Sequence, residues 1–152
     1  MKPKKIKLNK FYDERGYLIE LLPKKFKNIF KYSIITSSKK NVIRGLHYDK
    51  LLNEKKLIYI LKGKILDVTV NVKKNKKIYY NKLKKGDALF IPSEFAHGYK
   101  CLAKENIILY FLSKDYKPKN QKGIFWKDNN LKIKWNIKNP LVSLKDKMLP
   151  NL

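Results

Sequence analysis

The alternation of apolar and polar residues in short stretches is the feature that most constrains the fold of this chain. Residues 65–72 carry an apolar side chain at every second position and mostly polar ones between them. The apolar set is Leu66, Val68, Val70 and Val72, and the polar set is Asp67, Thr69 and Asn71. A period of two predicts a β-strand with two different faces. No segment keeps an apolar period of 3.6 residues beyond two turns, so the pattern favours strands over helices.

Further short strands are predicted along the rest of the chain, separated by single glycines and prolines. The predicted strands are 17–22, 32–36, 57–61, 78–83, 88–91 and 107–112. Residues 62–64, Lys-Gly-Lys, predict a tight hairpin between two of these strands, and residues 24–30 predict one or two helical turns. Many short strands with turns between them favour a β-sandwich or barrel. We therefore expect an all-β fold with short flanking helical turns.

Length and composition favour one soluble domain over residues 1–152. With 43% hydrophobic residues the chain can form a core without disulfides or metals. The single cysteine, Cys101, cannot form a disulfide framework, which favours a reducing compartment. Residues 1–10 are basic but lack the apolar segment of a signal peptide, and no apolar run approaches the roughly 18 residues of a membrane span. We expect a cytoplasmic protein with no membrane association.

The formal net charge of +25 raises a nucleic-acid-binding alternative. The lysines do not form one block, however, and recur in nearly every turn and strand. Sequence-specific readout depends on arginine, of which the chain has only two. We therefore interpret most of the charge as solvated surface and expect no specific nucleic-acid partner. Attraction of a small anionic substrate stays open.

The scarce histidines and arginines indicate where chemistry is located. All other basic residues are lysines, so arginine and histidine remain only where geometry or a pKa near neutrality is needed. They lie in three motifs: Arg15 in DERG (13–16), Arg44 and His47 in IRGLHY (43–48), and His97 in PSEFAHGY (92–99). Two histidines and one cysteine do not supply the ligand cluster of a zinc or iron site. No GxGxxG or P-loop motif is present, so neither a metal nor a cofactor is expected.

The order of the motifs resembles a known enzyme family. The segment Gly86–His97, GDALFIPSEFAH, is similar to a motif of the cupin jelly rolls. Together with IRGLHY, the resemblance is carried by KKLIYILKGKILDVTVNV (55–72), ILYFLSKDYKP (108–118), GIFWKDNNLKIKW (123–135) and SLKD (143–146). These motifs resemble the dTDP-4-dehydrorhamnose 3,5-epimerase family from about Asp13 to Pro150. Members are metal-free, cupin-like enzymes that act on nucleotide-activated 4-keto sugars, so the resemblance implies a jelly-roll fold.

Epimerisation next to a ketone needs a base on one face of the sugar, an acid on the other and a positive group at the ketone oxygen. The resemblance assigns the base to His47, with Asp146 pairing with it to fix its tautomer. It assigns stabilisation of the enolate oxygen to Lys56 and the acid to Tyr110. The reaction implied is removal of a proton at C3, C5 or both, followed by reprotonation on the opposite face.

The resemblance also implies a substrate-binding set and a homodimer. The binding residues implied are Arg44, Arg15, His97, Glu20 and Tyr116. Arg44 and His97 match family positions near the sugar and the diphosphate. Arg15 matches an arginine that reaches the diphosphate from the partner subunit. The partner expected in the cavity is a nucleoside-diphosphate 4-keto sugar.

The departures from the family pattern lie around the nucleotide. Ile34 and Ile35 stand where members have polar side chains, Gln121 where a glutamate is usual, and Glu94 where a turn glycine is usual. A GDP- or CDP-linked sugar therefore stays open beside a dTDP-linked one. A 3,4-ketoisomerase and a non-catalytic nucleotide-sugar-binding protein are the alternative functions, although the lone His47 between Leu46 and Tyr48 argues against the former.

Overall fold

The computed structural model describes all residues from Met1 to Leu152, and almost all of its regular structure is β-strand. The strands are β1 (Lys4–Ile6), β2 (Lys10–Asp13), β3 (Gly16–Ile19), β4 (Tyr32–Lys39), β5 (Ile43–Asp49), β6 (Lys56–Lys62), β7 (Lys64–Asn71), β8 (Ile78–Lys84), β9 (Ala88–Ile91), β10 (Phe95–Cys101), β11 (Glu105–Leu112) and β12 (Gln121–Gly123). The only α-helix is α1 (Leu144–Lys147), and 3₁₀ turns cover Lys24–Phe26 and Pro118–Asn120. No helix is long and apolar enough to cross a membrane.

Two five-stranded antiparallel sheets form the body of the protein. The first has the order β1-β9-β6-β11-β4 and the second the order β12-β5-β10-β7-β8, while β2 and β3 form a separate hairpin. Twelve buried side chains from both sheets pack between them, among them Ile58, Phe95 and Ile108. This is a jelly-roll sandwich, so the predicted all-β jelly roll with short flanking helical turns is confirmed. The predicted strands are found, although β3 ends at Ile19 and the helical turn of residues 24–30 is a 3₁₀ turn of three residues.

The predicted hairpin at residues 62–64 is wrong. Strand β6 belongs to the first sheet and β7 to the second, and the two do not pair. Gly63, at φ +88°, is where the chain passes from one sheet to the other, and a Cβ atom there would clash with the carbonyl oxygen of Glu105. A Lys-Gly-Lys turn therefore marks a change of sheet, which local sequence does not distinguish from a hairpin.

In β7 the alternation of apolar and polar residues does not separate a buried face from a solvent-exposed face, because both faces are covered. The apolar side chains of Val68 and Val70 pack against the segment after β12, including Leu131 and Trp135. The polar side chains of Asp67 and Thr69 are fully buried on the opposite face, between the two sheets. The interior of the sandwich is therefore partly polar, which is unusual for a simple core and indicates a site.

The segment from Ile124 to Leu152 has almost no regular structure, yet it covers the outer face of the second sheet. The buried carboxylate of Asp128 accepts backbone hydrogen bonds from Asn130, Leu131 and Leu152. The Lys100 ammonium, on β10, donates to the backbone carbonyl of Trp135 in the same segment. These contacts fix the chain that leads to α1 and so position the residues of that helix.

Candidate active site

A cavity of about 310 Å³ opens between the two sheets. It is lined by fifteen residues, which include seven of the nine predicted site residues: Arg44, His47, Lys56, His97, Tyr110, Tyr116 and Asp146. The second sheet supplies the histidines and Arg44, the first sheet supplies Lys56 and Tyr110, and α1 supplies Asp146. The two predicted residues that do not line the cavity are Arg15 and Glu20.

His47 and Asp146, two of the predicted catalytic residues, form a close pair. The His47 Nε2 atom lies 2.7 Å from Asp146 Oδ1, and the other carboxylate oxygen accepts a 3.0 Å hydrogen bond from the backbone N–H of Gly45. Asp146 is buried, and this burial opposes its ionisation, but the hydrogen bonds from His47 and Gly45 outweigh the burial and lower the pKa of the carboxyl group. An ionised Asp146 accepts the Nε2 proton of His47 and leaves Nδ1 as the free ring nitrogen.

The local sequence explains how Asp146 reaches His47. Ser143 is the N-cap of α1, and its hydroxyl accepts a hydrogen bond from the backbone N–H of Asp146 at 3.1 Å. The cap is therefore Ser143, and the Asp146 carboxylate is free to point into the cavity. Gly45, at φ +101°, lets β5 approach β10 closely, because a Cβ atom there would lie 2.6 Å from the carbonyl oxygen of His97.

Lys56 is a buried lysine at the cavity wall. Its Nζ atom lies 3.4 Å from Glu54 Oε1 and 3.4 Å from the carbonyl oxygen of His47. Burial lowers the pKa of Lys56, and the charges of Glu54 and Asp49 oppose that effect. Glu54 was not identified from the sequence, where it reads as one more surface charge.

Tyr110 is a buried phenol on β11, and the Tyr110 ring meets the ring of His97 edge to face with centroids 6.0 Å apart. Burial, together with the neighbouring Tyr99 and Asp67, raises the pKa of Tyr110 well above its ordinary value. The hydroxyl is therefore neutral near pH 7 and can act only as a proton donor or a hydrogen-bonding group there.

A second histidine–carboxylate pair lies beside the first. His97 Nε2 is 2.6 Å from Asp67 Oδ2, and both side chains are buried. His97 also stands opposite His47 in the pairing of β10 with β5. Asp67 was not predicted as a site residue. The signal for it was the polar face of residues 65–72, because a carboxylate on a buried strand needs a partner.

The cavity has an excess of positive charge. Arg44 donates to the Ser38 hydroxyl and to the carbonyl oxygen of Ser37 but has no carboxylate partner. Lys145, next to Asp146 on α1, also lines the cavity and was not predicted. Cations without an acidic partner at a cavity suit an anionic ligand such as a diphosphate.

Arg15 and Glu20 lie apart from the cavity of their own chain. Arg15 is in the turn of the β2–β3 hairpin, where it pairs with Asp13 at 2.6 Å and remains 85% exposed. The Glu20 carboxylate accepts a hydrogen bond from the Asn9 side chain beside the same hairpin. The structure of the chain does not bring either residue to the other seven.

The departures from the family pattern fall partly inside the cavity. Ile34 and Gln121 line it, whereas Ile35 points away and is mostly exposed. Glu94 does not have a positive φ, so the turn after Pro92 accommodates it without backbone strain. No group of three or more histidine, cysteine, aspartate or glutamate side chains comes together in a way that could hold a metal ion.

Comparison with known proteins agrees with this geometry. The family model of dTDP-4-dehydrorhamnose 3,5-epimerase matches residues 3–152. The chain is 31% identical to the dTDP-4-dehydrorhamnose 3,5-epimerase of Shigella flexneri over 150 residues, which cover 90% of this chain and 83% of that protein.

Solved structures of the same kind of enzyme superimpose closely. The crystal structure of the enzyme from Bacillus anthracis, with TDP and pyrophosphate bound, has a TM-score of 0.90 and 30% identity, covering 99% of this chain and 94% of that one. The enzyme from Legionella pneumophila, in complex with dTDP-4-keto-L-rhamnose, has a TM-score of 0.87 and 26% identity, covering 98% and 87%. The cavity residues, the jelly roll and these matches lead to one conclusion: the chain belongs to the dTDP-4-dehydrorhamnose 3,5-epimerase family.

Proposed function

We propose that this protein epimerises a nucleoside-diphosphate 4-keto-6-deoxy sugar, with His47 as the base and Tyr110 as the acid. One observation carries the proposal. The His47–Asp146 pair comes from the second sheet and α1, whereas Tyr110 and Lys56 come from the facing sheet, so that the proposed base and the proposed acid enter one cavity from different sheets. Inversion of a carbon centre requires this arrangement, because the proton leaves from one face and returns to the other.

The first step is removal of a proton from the carbon next to the ketone. Asp146 holds the Nε2 proton of His47, so Nδ1 carries the lone pair that accepts the substrate proton. The imidazolium formed is stabilised by the ionised carboxylate at 2.7 Å. The electron pair of the broken C–H bond moves into the enolate, whose oxygen is stabilised by the Lys56 ammonium.

The second step returns a proton to the same carbon from the other side. Tyr110 donates its hydroxyl proton to the enolate carbon and becomes a phenolate. The starting state is restored when the His47 imidazolium releases the proton it took from the sugar to solvent and the phenolate takes up a proton from solvent. The raised pKa of Tyr110 keeps the hydroxyl protonated before the step. A neutral phenol is a competent acid towards a carbanion-like centre because that centre is far more basic.

The nucleotide we propose is dTDP. The Bacillus anthracis relative binds TDP and the Legionella pneumophila relative binds a dTDP-4-keto sugar. In this chain Arg44 and Lys145 supply the unpaired positive charge for the diphosphate. Ile34 and Gln121 alter the lining, so a panel of nucleotides is needed to test the choice.

Deuterium exchange tests the reaction directly. The protein is incubated in D2O with dTDP-, GDP- and CDP-linked 4-keto-6-deoxy sugars, and deuterium at C3 and C5 is followed by NMR and mass spectrometry. We expect incorporation with the dTDP sugar, none with His47→Ala, and exchange without inversion with Tyr110→Phe. A folded protein that exchanges no substrate of the panel would refute the epimerase, and equal inversion by Tyr110→Phe and the parent would refute the role of Tyr110.

We also propose that the protein works as a homodimer in which the β2–β3 hairpin of one subunit completes the cavity of the other. The hairpin exposes Phe11, Tyr12 and Leu18, each more than half accessible, and Arg15 stands at its tip. Such an exposed apolar arm favours burial against a second copy. Light scattering should give a mass of two chains, and Arg15→Ala should raise KM without changing that mass. A monomer at micromolar concentration would contradict the proposal.

A further inference from the structure

The buried carboxylate of Glu54 has no part in the mechanism described so far. Glu54 lies two residues before the start of β6, is 5% exposed and lines the cavity. Its Oε1 atom lies 3.4 Å from Lys56 Nζ. The other two lysine–carboxylate pairs of the chain, Lys5–Asp87 and Lys62–Glu105, have exposed lysines. Glu54–Lys56 is therefore the only lysine ion pair that is buried at both ends.

A buried ion pair of this kind is seldom retained for stability alone, because removing two charges from water offsets most of their attraction. Its position gives it another use. Lys56 must carry a positive charge to stabilise an enolate oxygen, and burial favours the neutral amine. Glu54 supplies the nearest negative charge that opposes the loss of the proton.

The other charged groups around Lys56 are engaged elsewhere. Asp49 accepts a hydrogen bond from the Asn53 backbone and contributes less to the charge state of Lys56 than Glu54 does. Asp146 is occupied by His47 and Gly45. The His47 backbone at 3.4 Å offers only a carbonyl dipole. The remaining titratable groups at the cavity are the phenols Tyr99, Tyr110 and Tyr116, the second histidine His97 and the cations Arg44 and Lys145.

We infer that Glu54 is a positioning residue that holds the Lys56 side chain at the cavity wall and keeps it in the ammonium form that the reaction uses. The inference rests on the proposed function, because it concerns the lysine assigned to the enolate oxygen. Glu54 acts through Lys56 and does not itself transfer a proton to or from the sugar.

Glu54→Gln provides the test, since glutamine keeps the shape and a hydrogen-bonding oxygen but removes the charge. The rate of epimerisation is measured as kcat/KM between pH 6 and pH 10 for the parent, Glu54→Gln and Glu54→Asp. We expect the alkaline limb of the Glu54→Gln profile to move towards neutral pH. Each unit of pH by which the limb moves lowers kcat/KM on that limb by about tenfold. Glu54→Asp, which retains the charge, should recover part of the alkaline activity.

Glu105→Gln is the matched control, because it removes the same charge from the exposed Lys62–Glu105 pair. Its profile should overlay that of the parent. A profile of Glu54→Gln that is lowered equally at every pH would mean a merely structural role or direct proton transfer by Glu54, and would overturn the inference. An unchanged profile would overturn it as well.

A measurement without substrate separates this inference from the proposed function. Acetylation of Lys56 by acetic anhydride is followed against pH by peptide mass spectrometry, and only the neutral amine reacts. In Glu54→Gln the onset of Lys56 modification should move to lower pH than in the parent. In Glu54→Asp, which keeps the charge, the onset should stay near that of the parent. Such a result with an enzyme that turns over no substrate would leave the inference standing and refute the epimerase, whereas identical onsets in the parent and Glu54→Gln would refute the inference alone.

Discussion

Replacing Asp146 separates its contribution to folding from its contribution to the reaction. Asp146→Ala removes the acceptor of the buried Gly45 N–H and the acceptor of the His47 ring proton. An unpaired buried donor costs about 1–3 kcal/mol, and the lost charge-assisted bond to His47 adds roughly 1 kcal/mol. We expect Asp146→Ala to lower the free energy of unfolding by about 2–4 kcal/mol.

Asp146→Asn should behave differently. The amide oxygen of asparagine can still accept the Gly45 N–H, so the loss of stability should be about 1 kcal/mol or less. The NH₂ group then faces His47 Nε2 and favours the tautomer with the proton on Nδ1, which removes the lone pair needed for proton abstraction. We expect both variants to lose activity on the order of 10³-fold or more.

The pH dependence follows from the lowered pKa of Asp146. A carboxyl group whose pKa is lower in the folded state contributes stability above its unfolded pKa of about 3.9, and that contribution is lost as the pH falls through the folded pKa. The gap between the parent and Asp146→Ala should therefore be fully present near neutrality and should shrink in acid below about pH 4.

Urea unfolding followed by tryptophan fluorescence measures these differences, because Trp126 and Trp135 both lie in the segment that leads to α1. Deuterium exchange into the substrate measures activity in the same samples. An Asp146→Ala protein as stable as the parent would refute the energetic argument. An Asp146→Asn protein that retains the parent's exchange rate would refute the tautomer argument.

Three further predictions concern stability and reactivity away from the reaction centre. Gly63→Ala should lower the free energy of unfolding by about 1–3 kcal/mol and so lower the thermal midpoint, because the new Cβ would clash with the Glu105 carbonyl and the residue has a left-handed backbone conformation. An unchanged midpoint would contradict this. Cys101 is fully buried, which raises the pKa of the thiol to about 11, so at pH 8 it should react with a thiol reagent only after unfolding. Rapid reaction of the native protein would be inconsistent with that burial. Asp128→Ala should lower the free energy of unfolding, measured in urea, by roughly 2–4 kcal/mol, because three backbone N–H groups lose their acceptor. The control Asp115→Ala, at an exposed position, should be as stable as the parent.

Much of the reaction centre could be predicted from the sequence. His47, Asp146, Lys56 and Tyr110 were each assigned through motifs that the family resemblance fixes in order, and all four line one cavity. Their roles remain proposals. The short strands predicted a β-sandwich or barrel, since a strand with one apolar face must pack against another layer. The jelly roll itself was implied by the family resemblance.

The parts that could not be predicted depend on contacts between distant residues. Glu54 and Lys145 are two charges in a chain rich in charge, and only the fold shows that they line the cavity. Asp67 has the sequence position of a residue on the solvent-exposed face of a strand, and only the structure shows that it pairs with His97. The change of sheet at Gly63 has the local sequence of a hairpin, and the choice between the two is made by tertiary packing.

The sequence also carries no sign that residues 124–152 cover the outer face of the second sheet. Residues 124–152 show neither a period of two nor one of 3.6, so pattern analysis assigns them no structure. Their place is fixed by single anchors such as Asp128 and Lys100. Anchors of this kind leave no periodic trace in a sequence.

The attachment of Asp146 to a very short helix has a consequence for the dynamics of the enzyme. Helix α1 has four residues, and Leu144 and Met148, at 78% and 83% exposed, contribute little to its docking. Elements with few buried apolar contacts open with smaller free energies than the core around them. Opening of α1 would separate the Asp146 carboxylate from the His47 imidazole while the two sheets stayed intact. The amide hydrogens of α1 would therefore exchange with solvent early, and activity would be lost at a lower denaturant concentration than the one that unfolds the sandwich.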